Sequence, residues 1–189
     1  MSGRFHSGFL SACVLALAIA PAVQAAEFVT SAVGGSGGIS YDRDCGANRV
    51  LIGLQAKWGF WIDQVTPVCM AIASDGTLGT TSTLGRVGGG GGSSVGTRMC
   101  PDGKVLIGLA TKWNVYVDNI ALVCQNWNPP TKTRGAPSSI ATSSGMGSGG
   151  PFKHSSSLLC PSDKIAKGIR GKANVYLDSL ALVCDAWNQ

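Results

Sequence analysis

The stretch KWNVYVDNIALVC, Lys112 to Cys124, decides the fold because two other segments repeat it at the same spacing. These are KWGFWIDQVTPVC from Lys57 to Cys69 and KANVYLDSLALVC from Lys172 to Cys184. In each copy a Lys opens the segment, a Gly or Asn follows two residues on, an Asp six on and a Cys twelve on. One chain carries three versions of one unit, so function belongs either to that unit or to the scaffold that the three build together.

The residues upstream of each copy repeat as well. A glycine run comes first: Gly34-Gly35-Ser36-Gly37-Gly38, Gly88 to Gly92, and Gly147-Ser148-Gly149-Gly150. A cysteine follows (Cys45, Cys100, Cys160), then a short apolar run (Val50 to Leu54, Val105 to Leu109, Ile165 to Ile169). Those runs have the length and boundaries of strands, and the segments after the tips, such as Trp61 to Ala71, read as returning strands. Each unit is thus expected to be a hairpin with the repeated motif at its tip. Ala26 to Val33 is expected to form a short first strand or arm. The units are offset by 55 and 60 residues, the extra length falling in the connection Pro129 to Met146. Residues 26–189 form one domain of three repeats, about 34–72, 88–127 and 147–187. A closed object with pseudo-threefold symmetry is expected in place of an open solenoid.

The chain starts with Arg4 and His6, continues with the apolar run Phe9 to Ala20, and then has Pro21 and the small-residue site Val23-Gln24-Ala25. That order is a secretory signal peptide, residues 1–25, cleaved before Ala26. Leu10-Ser11-Ala12-Cys13 looks like a lipidation box, but the apolar stretch lies mainly after Cys13, the wrong side for one. No other apolar run approaches the roughly 20 residues of a spanning helix, so no membrane span is expected. The mature protein is expected to be secreted, to the extracellular space or the periplasm. Of seven cysteines, Cys13 leaves with the leader and six remain, in pairs 24 positions apart. In a secreted chain such a set reads as disulfides. Repeat symmetry selects Cys45–Cys69, Cys100–Cys124 and Cys160–Cys184. No CxxC pair exists and His154 is the one histidine of the mature chain, so neither a metal nor another cofactor is expected.

About 164 residues remain after cleavage, one domain's worth of chain. With 27 glycines and 13% charged residues, the composition favours strands and turns over helices. Fourteen basic side chains against ten acidic ones after loss of Arg4 is too mild a balance for a nucleic-acid partner.

Alternation in the returning strands puts Tyr116, Asp118, Ile120, Leu122 and Cys124 on one face, and Tyr176, Asp178, Leu180, Leu182 and Cys184 on one face. The apolar members line the core. Asp63, Asp118 and Asp178 then sit at the rim just beyond the tips, with backbone N–H partners, since an unpaired carboxylate deep in a core is too costly. Gly59, Asn114 and Asn174 share one offset, and both residue types accept a left-handed backbone, which predicts a tight turn aiming N–H groups beside the carboxylate. Fixed donors, an acceptor and the aromatics Phe60, Trp61, Tyr116 and Tyr176 suit a polyhydroxyl ligand such as a sugar. The competing reading is a local Asp bond that only fixes the hairpin. The glycine runs fit connectors, and no phosphate-cradling motif is present. Lys57, Lys112 and Lys172 read as solvated turn residues and His154 as a surface residue.

Together, the Gly-Gly-x-Gly-Gly opening at Gly34 to Gly38, the strands ending in Gly-Leu (Gly53-Leu54, Gly108-Leu109) and the Gly59-Phe60-Trp61-Ile62-Asp63 segment resemble the jacalin-related lectins. The three-repeat layout with cysteines also resembles the vitelline membrane outer layer protein family. The resemblance implies an all-β fold, a β-prism of three four-stranded Greek-key sheets. It also implies a sugar site that combines a glycine-rich loop with a Gly-x-x-x-Asp loop. Carried over by position, carbohydrate contacts fall to Gly34, Gly35, Gly37 and Gly38, and to Gly59, Phe60, Trp61 and Asp63. In the other two copies they fall to Asn114, Val115, Tyr116 and Asp118, and to Asn174, Val175, Tyr176 and Asp178. There Asn replaces Gly, and the cysteine pairs depart from the plant lectins. The family topology sets the N-terminal glycine loop beside the C-terminal Asp loop, which leaves Gly34 to Gly38 paired with Asp178 or with Asp63. The resulting expectation is a secreted, non-enzymatic carbohydrate-binding protein with glycans as partners and up to three sites. A structural, coat-forming prism is the alternative. No acid–base pair or nucleophile–His arrangement favours an enzyme.

Overall fold

The structure, a computed structural model, describes residues 26–148 and 152–187; the expected leader lies outside them. The three repeats do form hairpins: Arg49–Trp58 with Ile62–Ile72, Lys104–Trp113 with Val117–Asn128, and Lys164–Ala173 with Leu177–Ala186. The strands run beyond the apolar runs because main-chain pairing continues to the tips, where polar residues replace apolar ones. Among the described residues no α-helix occurs, and the one helical element is the short 3-10 turn Pro137–Ser139.

Each hairpin is the centre of one antiparallel sheet, and its flanking strands come from elsewhere in the chain. Ser94–Met99, from the start of the second repeat, pairs with the first hairpin. His154–Leu159, from the start of the third, pairs with the second. The pattern closes on itself because Ile39–Asp44, at the start of the first repeat, pairs with the third hairpin. On the opposite side each sheet is edged by short segments: Leu78–Thr83 and Val87–Gly88 on the first, Thr133–Arg134, Ala141–Thr142 and Met146–Gly147 on the second, and Phe28–Val29 and Val33–Gly34 on the third. The expected first arm is thus two short strands. The result is a β-prism of three sheets with each edge strand broken in two or more pieces.

One bulge recurs in every hairpin. Leu51 pairs with Cys69 and Gly53 with Val68, leaving Ile52 as the extra residue, and Ile107 and Lys167 are extra in the same way. The carbonyl of each bulged residue accepts a hydrogen bond from a cysteine N–H of the flanking strand: Cys100 to Ile52, Cys160 to Ile107 and Cys45 to Lys167, all at 2.9 Å. Each of those cysteines marks the point where the chain leaves one sheet and enters the next. The disulfides Cys45–Cys69, Cys100–Cys124 and Cys160–Cys184 therefore join neighbouring sheets, one per corner, in the pairing that repeat symmetry selects.

The inward alternation also holds. Ile120, Leu122 and Cys124, and Leu180, Leu182 and Cys184, are buried in one interior cluster with Leu51, Leu54, Leu106 and Ile169. A smaller cluster of Val50, Val105, Ile165, Ile72 and Trp127 seals the end remote from the tips. Opening one corner leaves this packing intact but frees the unfolded chain. Cys100→Ala with Cys124→Ala is expected to lower stability by roughly 3 kcal/mol in the loop-entropy account, measured as a lower urea unfolding midpoint with a slope at least as steep as the native one, since the freed unfolded chain exposes more surface.

Candidate functional site

All three tips lie at one end of the prism and meet on its axis. Trp61, Tyr116 and Tyr176, at equivalent positions, pack against one another with ring centroids 4.9–5.2 Å apart. Sequence reasoning placed these rings beside separate carboxylates. The structure places them in one shared cluster, since the threefold arrangement brings the tips together. Phe60 leans edge-on against Trp61 at 5.2 Å and is otherwise exposed.

The tip turn is the same backbone three times. Gly59 N–H donates to the Trp61 carbonyl, Asn114 to Tyr116 and Asn174 to Tyr176, at 3.0–3.1 Å. None of Gly59, Asn114 and Asn174 has a positive φ, contrary to the left-handed turn expected from their types. Asn therefore replaces Gly at no backbone cost. The copies differ in one bond, because Gly59 N–H also reaches Asp63 Oδ2 at 2.9 Å.

The glycine runs, read from sequence as connectors, are where positive φ is needed. Gly34, Gly88 and Gly147 have φ of 98°, 94° and 119°, and each backbone lies directly against the carbonyl oxygen of a tip aspartate: Asp178, Asp63 and Asp118 in that order. A side chain at any of the three would collide with that oxygen. The pairing left open by the sequence thus resolves: Gly34 to Gly38 belongs with Asp178, Gly88 to Gly92 with Asp63, and Gly147 with Asp118. Gly35 N–H donates to the Asp178 carbonyl at 2.8 Å and Gly89 N–H to that of Asp63 at 2.9 Å. A Cβ on Gly37 would stand 2.7 Å from Asp178 Oδ1, and one on Gly38 2.5 Å from Oδ2.

Each loop also touches a second tip. Gly35 rests on the Val115 carbonyl, Gly89 on that of Val175, and Ser148 Oγ donates to that of Phe60. The loops therefore form a ring of braces around the aromatic cluster. Two lysines read as solvated belong to this ring: Lys57 Nζ donates to the Gly90 carbonyl at 2.9 Å and Lys172 Nζ to that of Ser36 at 3.0 Å. Lys112 instead lies over the Phe152 ring at 4.3 Å. His154 is exposed, as expected, and stacks on Trp113. Sequence reasoning missed Gly88 to Gly92 and Gly147-Ser148 as parts of the site, although their equivalence to Gly34 to Gly38 by repeat was the signal.

The three carboxylates are more enclosed than a rim position implies: Asp63 is 6%, Asp118 2% and Asp178 7% exposed. Asp63 has its backbone partner, as expected. Oδ2 of Asp118 and Oδ2 of Asp178 are buried with no hydrogen-bond partner among the described residues. Burial of Asp118 pushes its carboxyl above the usual carboxylate range, because desolvation disfavours the charged form. Orphaned buried carboxylate oxygens are costly, and an incoming hydroxyl donor satisfies them. No cluster among the described residues has the make-up of a metal site.

No protein-family model matches the chain, and no curated protein matches it in sequence. Solved structures do. Malaysian banana lectin superposes with a TM-score of 0.59 at 16% identity, covering 85% of this chain and 99% of that one. The fold is that of the jacalin-related lectins. A mannose-binding jacalin-related lectin from Ananas comosus gives 0.56 at 16% identity, covering 85% and 99%. Calsepa lectin in complex with a biantennary N-glycan gives 0.56 at 14%, covering 86% and 98%. The lectin prism is thus accommodated almost whole, and the three corner disulfides suit an oxidising compartment.

The raised Asp118 carboxyl has a consequence for pH. Above the ordinary carboxylate range the buried charge destabilises the fold, and below it the group is neutral in both states and the cost vanishes. Asp118→Asn is expected to be more stable than the native protein near neutral pH. That advantage should shrink as pH falls toward the unfolded-chain value of about 4 and be gone below it, followed as urea midpoints across the pH series.

Proposed function

We propose that the protein binds carbohydrate non-enzymatically at up to three equivalent sites, each built from a glycine loop and the aspartate of the tip it braces. The observation that carries this reading is the pair of buried oxygens, Oδ2 of Asp118 and Oδ2 of Asp178, that have no hydrogen-bond partner among the described residues, the latter beside Gly38 backbone too close for any side chain. A carboxylate accepts from sugar hydroxyls. Mannose-type sugars are the first class to test, because the Ananas neighbour is described as mannose-binding. Glycans are the proposed partners and the extracellular or periplasmic space the proposed location, with the leader cleaved near Ala25. The domain is proposed to be the single body of residues 26–189, three repeats long.

A purely structural, coat-forming prism is favoured by one observation, the Asp63 carboxylate already bonded to Gly59 N–H of its own tip. The two readings separate in one titration. Mannan and mannose oligosaccharides are titrated calorimetrically into the mature protein and into Asp63→Asn, Asp118→Asn and Asp178→Asn, singly and together. Each single change is expected to remove about one site's worth of binding, weakening that site tenfold or more, and the triple variant should bind nothing. A native protein that binds no glycan, or a triple variant that binds like the native one, leaves the coat reading standing.

A further inference from the structure

The prism's most exposed large apolar side chains are concentrated at its tip end. Phe60, Val115 and Val175, 54%, 61% and 56% exposed, occupy equivalent positions on the three tips. Ile39 at 76% and Val95 at 70% stand on flanking strands, in register with Ala173 and Lys57 beside the tips. Every other large apolar side chain among the described residues is 50% exposed or less. The ring is rigid. The carbonyls of Phe60, Val115 and Val175 are the ones the glycine loops rest on, and the aromatic cluster lies immediately behind.

Charge at this end has one sign on the surface. Lys57, Lys112 and Lys172 surround the ring at equivalent positions, with Lys153 nearby in sequence to Phe152. The carboxylates in the tips and glycine loops are Asp63, Asp118 and Asp178, all buried. Apolar side chains braced outward within a belt of lysines match the lipid–water interface, where the former enter the headgroup region and the latter meet its negative surface. The three proposed sugar sites lie at the same end, so a partner that meets the ring is also brought beside them.

We propose that the tip end docks face-on onto a lipid bilayer whose lipids carry the sugar headgroups bound at the three sites, with Phe60, Val115 and Val175 entering the interface. The choice of sugar-bearing lipid rests on the carbohydrate reading, and the lipid contact rests on the ring. The protein holds its sites and its apolar contacts in one plane, so headgroup binding and lipid contact reinforce each other as multivalent terms.

The test uses the mature protein and vesicles of phosphatidylcholine with a minor fraction of phosphatidylserine, with and without a mannose-headgroup lipid. The variant carries Phe60→Ser, Val115→Ser and Val175→Ser, all exposed positions, and its fold is checked by circular dichroism. Co-sedimentation is expected to show binding to the mannose-free vesicles weakened about tenfold or more in the variant, a readout that sugar affinity does not enter. Native tryptophan fluorescence is expected to be quenched by brominated lipid. Equal vesicle binding by the two proteins overturns the inference. So does a native dimer that the variant converts to monomer, which assigns the ring to a second copy. Failure of the carbohydrate reading looks different: no soluble mannoside binds and the mannose lipid adds nothing, while loss of vesicle binding in the serine variant still reports lipid docking.

Discussion

Three close approaches of glycine backbone to an aspartate carbonyl hold the tip end of the prism together. At Gly34, Gly88 and Gly147 the φ is positive and no side chain fits, so both steric and conformational terms select glycine. Because each loop braces the aspartate of one tip and the carbonyl of another, the three tips cannot move independently. The aromatic cluster on the axis, the enclosure of the carboxylates and the outward set of Phe60, Val115 and Val175 all follow from that bracing.

At the other end the same cyclic logic uses different chemistry. A bulge in each hairpin turns one carbonyl toward the cysteine N–H of a neighbouring strand, and the disulfide then bonds that strand's end to the next hairpin. The tips are held by sterics and hydrogen bonds, and the corners by covalent bonds. The sheets between them need little more than apolar burial.

Much of this was legible in the chain. Equal offsets of Lys, Asp and Cys revealed three hairpins, the 24-residue spacing revealed the disulfides, and period-two alternation picked out Ile120, Leu122, Leu180 and Leu182 as core. What escaped was whatever depends on one repeat meeting another. Gly88 to Gly92 sits 25 or more residues from Asp63, and nothing local says that they touch. Lys57 and Lys172 looked solvated because their partners are carbonyls of a distant loop. The tip Asn residues suggested a left-handed turn that is not there, because their own tip carbonyls are reached with an ordinary backbone. The approach of Gly147 to Asp118 was hidden for the same reason, since it joins residues 29 positions apart.

The cyclic exchange of strands has a temporal side. Ile39–Asp44 is among the first stretches of the domain to be made, and its partner Lys164–Ala173 is among the last. Until the final hairpin exists, that early strand carries unpaired N–H and C=O groups with nothing of its own to satisfy them. Closing the ring requires contacts across nearly the whole chain, the class of topology that folds slowly. A chain of this design gains its finished shape in one late step, when its two ends meet.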